Sequence, residues 1–470
     1  MSSKSTKSVH KHKAVAWVLT LASSFCASAL AQQTPPGIVG QDGWLFYRNE
    51  ISDASDDGGV RSTIDLVRRV NAQLARNGTH LIVAMAPLKM RVHPEFLPAS
   101  VRLTDHLKGN YDRMRQTLRS AGVQVADIET AFVNSPQRNS PMPLFFKRDT
   151  HWSSSGALLA AETVRDTLQA DPKTQALLAS LPRTRYQLTW SPKDWPVDGD
   201  LPPQLPNGSP RYDKELIKIF TVEKAAGQAA AGLLDNAAPA ITLLGSSYTA
   251  DWTNFPAAMR YALQTDLLAI SVDALQGQWV GMHTYLRDDA FQTQRPKLLI
   301  WEMPARDMRA PPDFQWREAR YKMNPTEWLL QTSALLQNQC TPSGITAKVN
   351  SASIAGTQSA SGSFNAPIST ATGFVELQFD KPLDRMDYLS GKLTLNGSKI
   401  LTLEVSGPGV AARKFTLPAA GDDSAHVLRS PLLGPDAKGG ITQLRLYPGI
   451  ANSFSLQDIQ VCRQPADLLN

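Results

Sequence analysis

Asp149 and His151 stand two residues apart in the stretch from Phe145 to Ala157, just before a segment that reads as a helix. At that spacing a tight turn lets the carboxylate hydrogen-bond the imidazole. It then fixes the ring tautomer and supports a positive charge on it. The use of such a pair is to activate a nucleophile. The candidate nucleophile is in Leu243-Leu244-Gly245-Ser246-Ser247-Tyr248. A Gly-x-Ser at the C-terminal end of an apolar strand is where α/β folds place reactive groups. Gly245 allows a sharp turn there, and backbone N–H groups nearby are available to an oxyanion. On the residues alone Ser246 and Ser247 both qualify. Bland readings stand beside the chemical one: His151 bridging a loop, Asp149 capping the following helix.

The elements that would position these residues follow the pattern of an α/β domain with a mainly parallel sheet. The run His80 to Ala86 is apolar throughout, as a strand covered on both faces requires. Residues 123–128, 239–248, 266–272 and 296–304 read as further strands. Helical spacing appears at 61–77, where Ile64, Leu66, Val67, Val70 and Leu74 share one stripe, and again at 109–121 and 155–170. Asp42-Gly43 followed by Trp44-Leu45-Phe46-Tyr47 reads as a turn into a strand. A polar, Pro-rich insertion spans roughly 184–236 and contains Trp190, Trp195, Asp198, Gly199 and Asp200. It is too long for a simple loop and reads as a lid or substrate-facing segment. From about residue 340 short alternating runs replace helical periodicity: 374–379, 391–395, 400–405, 414–417, 441–447 and 454–461. Gly, Pro, Asn and Asp punctuate them, the pattern of an all-β sandwich.

Length and charge narrow the setting. A chain of 470 residues exceeds one ordinary core. Lys4, Lys7, Lys11 and Lys13 precede an apolar run from Ala14 to Ala27, and Ala29-Leu30-Ala31 forms a small-x-small site. Residues 1–31 therefore read as a secretory signal peptide, with an uncleaved anchor as the alternative. These residues hold four Lys and no acid, so without them the net charge falls from +6 to +2. The sequence pI of about 9.1 comes mostly from that segment and makes no case for nucleic acid. Cys26 lies in the signal segment. Cys340 and Cys462 remain as an even pair in an exported chain, near the two ends of the β-rich region, and read as a disulfide. Two free thiols are the alternative. Two Cys without partner ligands do not make a metal site, and nothing in the chain calls for a cofactor.

The motifs Asp42-Gly43-Trp44-Leu45-Phe46, Asp149-Thr150-His151-Trp152, Ser155-Gly156-Ala157, Gly245-Ser246-Ser247-Tyr248 and Trp301-Glu302-Met303-Pro304-Ala305-Arg306 occur in this order. Together they resemble the SGNH hydrolase-like periplasmic polysaccharide O-acetyltransferases of the AlgX/AlgJ family. The β-rich C-terminal region resembles the members that pair this catalytic domain with a carbohydrate-binding module. The resemblance implies domains at 32–338 (SGNH-like) and 339–470 (carbohydrate-binding β-sandwich). It implies Ser247 as nucleophile, His151 as general base and Asp149 as its orienting acid. It further implies a periplasmic exopolysaccharide acceptor, alginate foremost, and an acetyl donor relayed from a membrane O-acyltransferase within a polysaccharide secretion complex. The resemblance leaves the oxyanion donors unassigned. Trp152, Trp252 and Trp301 lie beside these motifs and could stack on sugar rings, though a core position is the commoner fate of Trp. Arg306 and Lys89 could hold uronate carboxylates, or be structural charges. With water in place of the sugar hydroxyl, the same triad would be an esterase. A non-catalytic polysaccharide-binding scaffold is the remaining reading.

Overall fold

The computed structural model describes residues 35–225, 238–273, 276–315, 317–359, 362–434 and 439–470. The signal-peptide reading at 1–31, with Cys26, lies outside the described residues, as does most of the Ala/Gly-rich stretch at 225–232.

Five parallel strands form the central sheet in the order Leu268–Ser271, Ile241–Gly245, Leu298–Pro304, His80–Ala86, Gln124–Ala126. Leu298–Pro304 and the strand Ile241–Gly245 are buried along their whole length. They lie near the middle of the sheet, so both faces need cover. Ile241–Gly245 connects leftward through helix Phe255–Leu263, and Leu268–Ser271 connects rightward through helix Gly277–Arg287. Right-handed crossovers put these two helices on opposite faces. Helix Ser154–Ala170 packs with Phe255–Leu263, while Asp57–Arg76 and Gly277–Arg287 both pack against Pro325–Leu336. The sheet thus sits between two helical layers, with Leu81, Ile82, Val83, Leu243, Ile300 and Trp301 at the centre of one core.

The helix limits follow local chemistry. Asp57–Arg76 turns its buried stripe of Ile64, Leu66, Val67, Val70 and Leu74 inward and ends at Asn77-Gly78. Thr104 caps Asp105–Ser120 and Ser153 caps Ser154–Ala170, each accepting from an N–H of the first turn.

The region after residue 340 is a sandwich of two antiparallel five-stranded sheets. One runs Ala347–Ala352, Val375–Leu383, Ile441–Tyr447, Ile400–Gly407, Val410–Pro418. The other runs Thr357–Gln358, Phe364–Ala366, Ser453–Arg463, Asp387–Asn396, His426–Pro431. Leu377, Leu389, Leu403, Leu444 and Leu456 fill a second core between them. Cys340 and Cys462 form a disulfide across 122 residues. Beside it, Arg463 donates to the Thr341 carbonyl and Ser343 to Val461, so entry and exit of the sandwich are joined by backbone as well. The last residues return to the α/β layer: Leu468 is buried in its core, and Arg69 donates to the Leu468 carbonyl at 2.6 Å.

Candidate active site

Residues 144–153 form a tight hairpin. Phe145 pairs with Trp152, and Ser153 N–H donates to the Leu144 carbonyl at 2.9 Å. Asp149 and His151 lie at its tip. Asp149 Oδ1 accepts from the His151 backbone N–H at 2.9 Å, closing an Asx turn, and stands 2.6 Å from His151 Nδ1. His151 Nε2 is 2.7 Å from Ser247 Oγ. The helix cap falls to Ser153, so Asp149 is left free to hold the imidazole. Asp149 and His151 are buried, and Ser247 is half-buried. Burial pushes the Asp149 carboxyl up, but hydrogen bonds from His151 and the charges of the ring and Lys89 outweigh it. The net result lies below the usual carboxylate range.

Ser247 begins a 3-10 turn at the C-terminal end of Ile241–Gly245. Gly245 is needed for close approach: a Cβ there would lie 2.4 Å from Thr249 Cγ2 and 2.6 Å from Glu302 Oε2. Glu302, wholly buried on the neighbouring strand, accepts from Ser246 N–H at 2.8 Å and Ser246 Oγ at 2.7 Å. Burial pushes its carboxyl up to about 7, even with both Ser246 donors pulling the other way. Ser246 Oγ also accepts from Tyr248 N–H at 3.2 Å, so this hydroxyl braces the turn. Of the two serines, Ser247 faces His151. As the first residue of its turn, Ser247 has an N–H that the turn does not use.

The hairpin tip is held from several directions. Lys89 is buried and donates to the carbonyls of Leu45, Lys147 and Asp149 at 2.6, 2.9 and 3.0 Å. Burial pulls its ammonium down to about 8 despite nearby carboxylates. Lys89 therefore does not face a uronate; it ties the hairpin to the strand Leu45–Tyr47, whose Leu45 N–H donates to the Lys147 carbonyl at 2.8 Å. The Asp42-Gly43 turn, with φ of 52° and 77°, feeds that strand. Tyr248 donates to the Thr150 carbonyl at 2.6 Å.

Three more of the aromatic and basic candidates take other roles. Trp152 is wholly buried against Tyr248 and Phe255, with no ring face for a sugar. Trp301 is likewise core, packed edge-on to Trp279. Arg306 donates to Tyr248 Oη at 3.0 Å and lies over the rings of Tyr47 and Tyr248, so its guanidinium is engaged within the protein. Trp252 is different. It is 49% exposed, its ring stands 4.9 Å from His151 edge-on, and it stacks on Phe146.

Glu302 and Asp200 were not among the residues that sequence pattern marks as chemical. Glu302 had one signal, a lone carboxylate in an apolar strand. Asp200 had a weaker one, the Asp-Gly-Asp turn at 198–200. Asp149, His151 and Asp200 place potential ligand atoms within 4.8 Å of one another. Both ring nitrogens of His151 are already engaged, by Asp149 and Ser247, so a cation there would have to break the chain of hydrogen bonds.

Residues 38–305 match the family model described as SGNH hydrolase-like domain, acetyltransferase AlgX. The chain is 30% identical over 319 residues to the probable alginate O-acetylase AlgJ of Pseudomonas aeruginosa, covering 64% of this chain and 75% of that one. It is 26% identical over 280 residues to the alginate biosynthesis protein AlgX of Pseudomonas putida, covering 56% and 55% of the two chains. Among solved structures, Pseudomonas aeruginosa AlgX superposes with a TM-score of 0.62 at 19% identity, over 91% of this chain and 95% of that one. The O-acetyltransferase domain of Pseudomonas putida AlgJ gives 0.52 at 24% identity, over 63% and 99%. These likenesses agree with the α/β layer followed by a β-sandwich. The matched span holds the hairpin of Asp149 and His151 and the turn of Ser247, and the chain belongs to the AlgX acetyltransferase family, with its SGNH hydrolase-like domain.

Proposed function

We propose that this chain is a periplasmic O-acetyltransferase that passes an acetyl group through Ser247 to a hydroxyl of an exopolysaccharide, alginate foremost. The observation that carries the reading is the continuous chain Asp149–His151–Ser247, at 2.6 and 2.7 Å. His151 Nε2 takes the Ser247 proton as Oγ attacks the carbonyl carbon of an acetyl ester. The bond to the donor's alcohol oxygen breaks, and that oxygen takes the proton from His151. The acceptor hydroxyl then gives its proton to His151 and attacks the acetyl-serine. Ser247 Oγ leaves and recovers the proton. Asp149 stabilises the imidazolium in both steps. The Ser247 N–H serves as an oxyanion donor.

The donor is an acetyl group relayed from a membrane O-acyltransferase in a polysaccharide secretion complex, as the family resemblance implies; the names of the relatives, alginate O-acetylase and alginate biosynthesis protein, support the choice of polymer. The signal-peptide pattern at 1–31 supports the periplasm. Trp252 offers the acceptor an aromatic face beside His151. The β-sandwich holds the polymer as a carbohydrate-binding module. Two separate cores support domain limits at 32–338 and 339–470, with Met386, Leu468 and Leu469 of the second segment joining the first core.

The test is incubation of purified protein with an aryl acetate and oligosaccharides of alginate, cellulose and a neutral control. Acetylated alginate oligosaccharide is the expected product. Free acetate alone, with no acetylated sugar, favours an esterase and contradicts the proposal.

A further inference from the structure

Every backbone N–H from Lys147 to His151 except that of Asp149 is bound by a carboxylate, and three of those four bonds go to the insertion. Glu215 accepts from Lys147 and Arg148 at 3.0 and 3.1 Å. Asp200 Oδ1 accepts from Thr150 N–H at 2.7 Å and Oδ2 from Thr150 Oγ1 at 2.5 Å. In return the Asp200 N–H donates to Asp149 Oδ2 at 2.9 Å, the oxygen that His151 does not use. Leu201 N–H donates to the Arg148 carbonyl at 3.2 Å. Gly199 makes this fit possible: its φ is +76°, and a Cβ would lie 2.3 Å from the Arg148 oxygen.

We propose that Asp200 is a positioning residue of the Asp149–His151–Ser247 site, holding the Asp149-Thr150-His151 turn and placing a second carboxylate on the Nδ1 side of the imidazole. The inference rests on the acyl-transfer reading of that site. Asp200 Oδ2 lies 3.8 Å from His151 Nδ1, too far for a hydrogen bond, so Asp200 reaches the ring through its field and through Thr150 and Asp149. Asp200 faces Asp149, His151 and Thr150 on the hairpin, with buried Lys89 and half-buried Glu215 near the same turn. Burial and the charge of Asp149 both push the Asp200 carboxyl up. The two carboxylates repel while His151 is neutral. Once His151 carries a proton, both are attracted to it. That gain exists only after proton transfer, so it lowers the barrier more than it tightens substrate binding.

The test compares Asp200→Asn, Asp200→Ala and Ser247→Ala with the parent protein, using aryl acetate turnover across pH and thermal melting as a check on folding. Asp200→Asn keeps an oxygen for Thr150 N–H but removes the charge. The expected result is a kcat about tenfold or more lower with KM little changed, since misplacing a catalytic group costs rate. The acidic limb of the rate profile should also move to lower pH, because a His that loses a neighbouring negative charge gives up its proton more readily. A folded Asp200→Asn with unchanged kcat and an unmoved limb overturns the proposal. So does loss of activity in Asp200→Ala alone, tracking a lower melting temperature. If Ser247→Ala is still active, the acyl-transfer reading itself fails. If Ser247→Ala is inactive and Asp200→Asn is normal, only the role of Asp200 fails.

Discussion

Glu302 shows how much of the site rests on groups that never touch a substrate. Its carboxyl is wholly buried, bonded to both donors of Ser246, and pushed up to about 7 from an ordinary 4.5. With the folded value raised, its contribution to stability is full below about pH 4.5 and is lost as pH rises through about 7. A displacement of that size corresponds to about 3 kcal/mol. Glu302→Gln keeps the acceptor for Ser246 and cannot ionise. Its melting temperature should therefore fall less between pH 5 and 8 than that of the parent, measured by calorimetry. Parallel curves would show that Glu302 is ionised without cost. Asp149, His151 and Ser247 were legible as a set because Asp149 and His151 are neighbours in sequence and Ser247 follows directly on an apolar strand. Asp200 lies about fifty residues downstream in sequence without periodicity, so only the fold brings it to the hairpin. Lys89 and Arg306 were legible as charges but not as engaged ones, since a lone cation in sequence does not reveal which carbonyls or rings surround it.

The central strands were legible as elements, because a parallel strand covered on both faces must be apolar at every position. His80–Ala86 and Leu298–Pro304 show this. The strands Ala347–Ala352, Phe364–Ala366 and His426–Pro431 were not. Ala347–Ala352 and His426–Pro431 lie at sheet edges, and Phe364–Ala366 has only three residues, so their burial patterns are weak or brief. The insertion reading at 184–236 carried position but no mechanism. Its described part includes two small strand pairs, Tyr186–Trp190 with Phe220–Lys224 and Trp195–Val197 with Glu215–Ile217, and it supplies Asp200 and Glu215 to the hairpin. The turn after Ser247 carries Trp252 out to solvent beside His151. Stacking of an aromatic ring is worth about 0.5–1.5 kcal/mol, so Trp252→Ala should lower sugar acetylation relative to hydrolysis about 2- to 10-fold. Aryl acetate hydrolysis without acceptor should persist. Quantifying both products by mass spectrometry checks this, and an unchanged product ratio would remove Trp252 from the acceptor site.

At the scale of the whole molecule, two cores are joined by more than a linker. Cys340–Cys462 closes a loop across 122 residues, worth about 4–5 kcal/mol in the chain-entropy account. Arg429 of the sandwich donates to the Gln337 carbonyl, and Leu468 packs back into the α/β core. A polymer held by the sandwich would be tethered to the body that carries Ser247, which raises its local concentration at the site. The central claim is that this body carries an acetyl group on Ser247 between donor and acceptor. The most direct measurement is the mass of the intact protein, quenched in acid during turnover of an aryl acetate, followed by peptide mapping. The account predicts one acetyl group, on the peptide containing Ser247, absent in Ser247→Ala and discharged on adding the acceptor oligosaccharide. An acetyl group that persists in Ser247→Ala, or sugar acetylation by that variant, would contradict it.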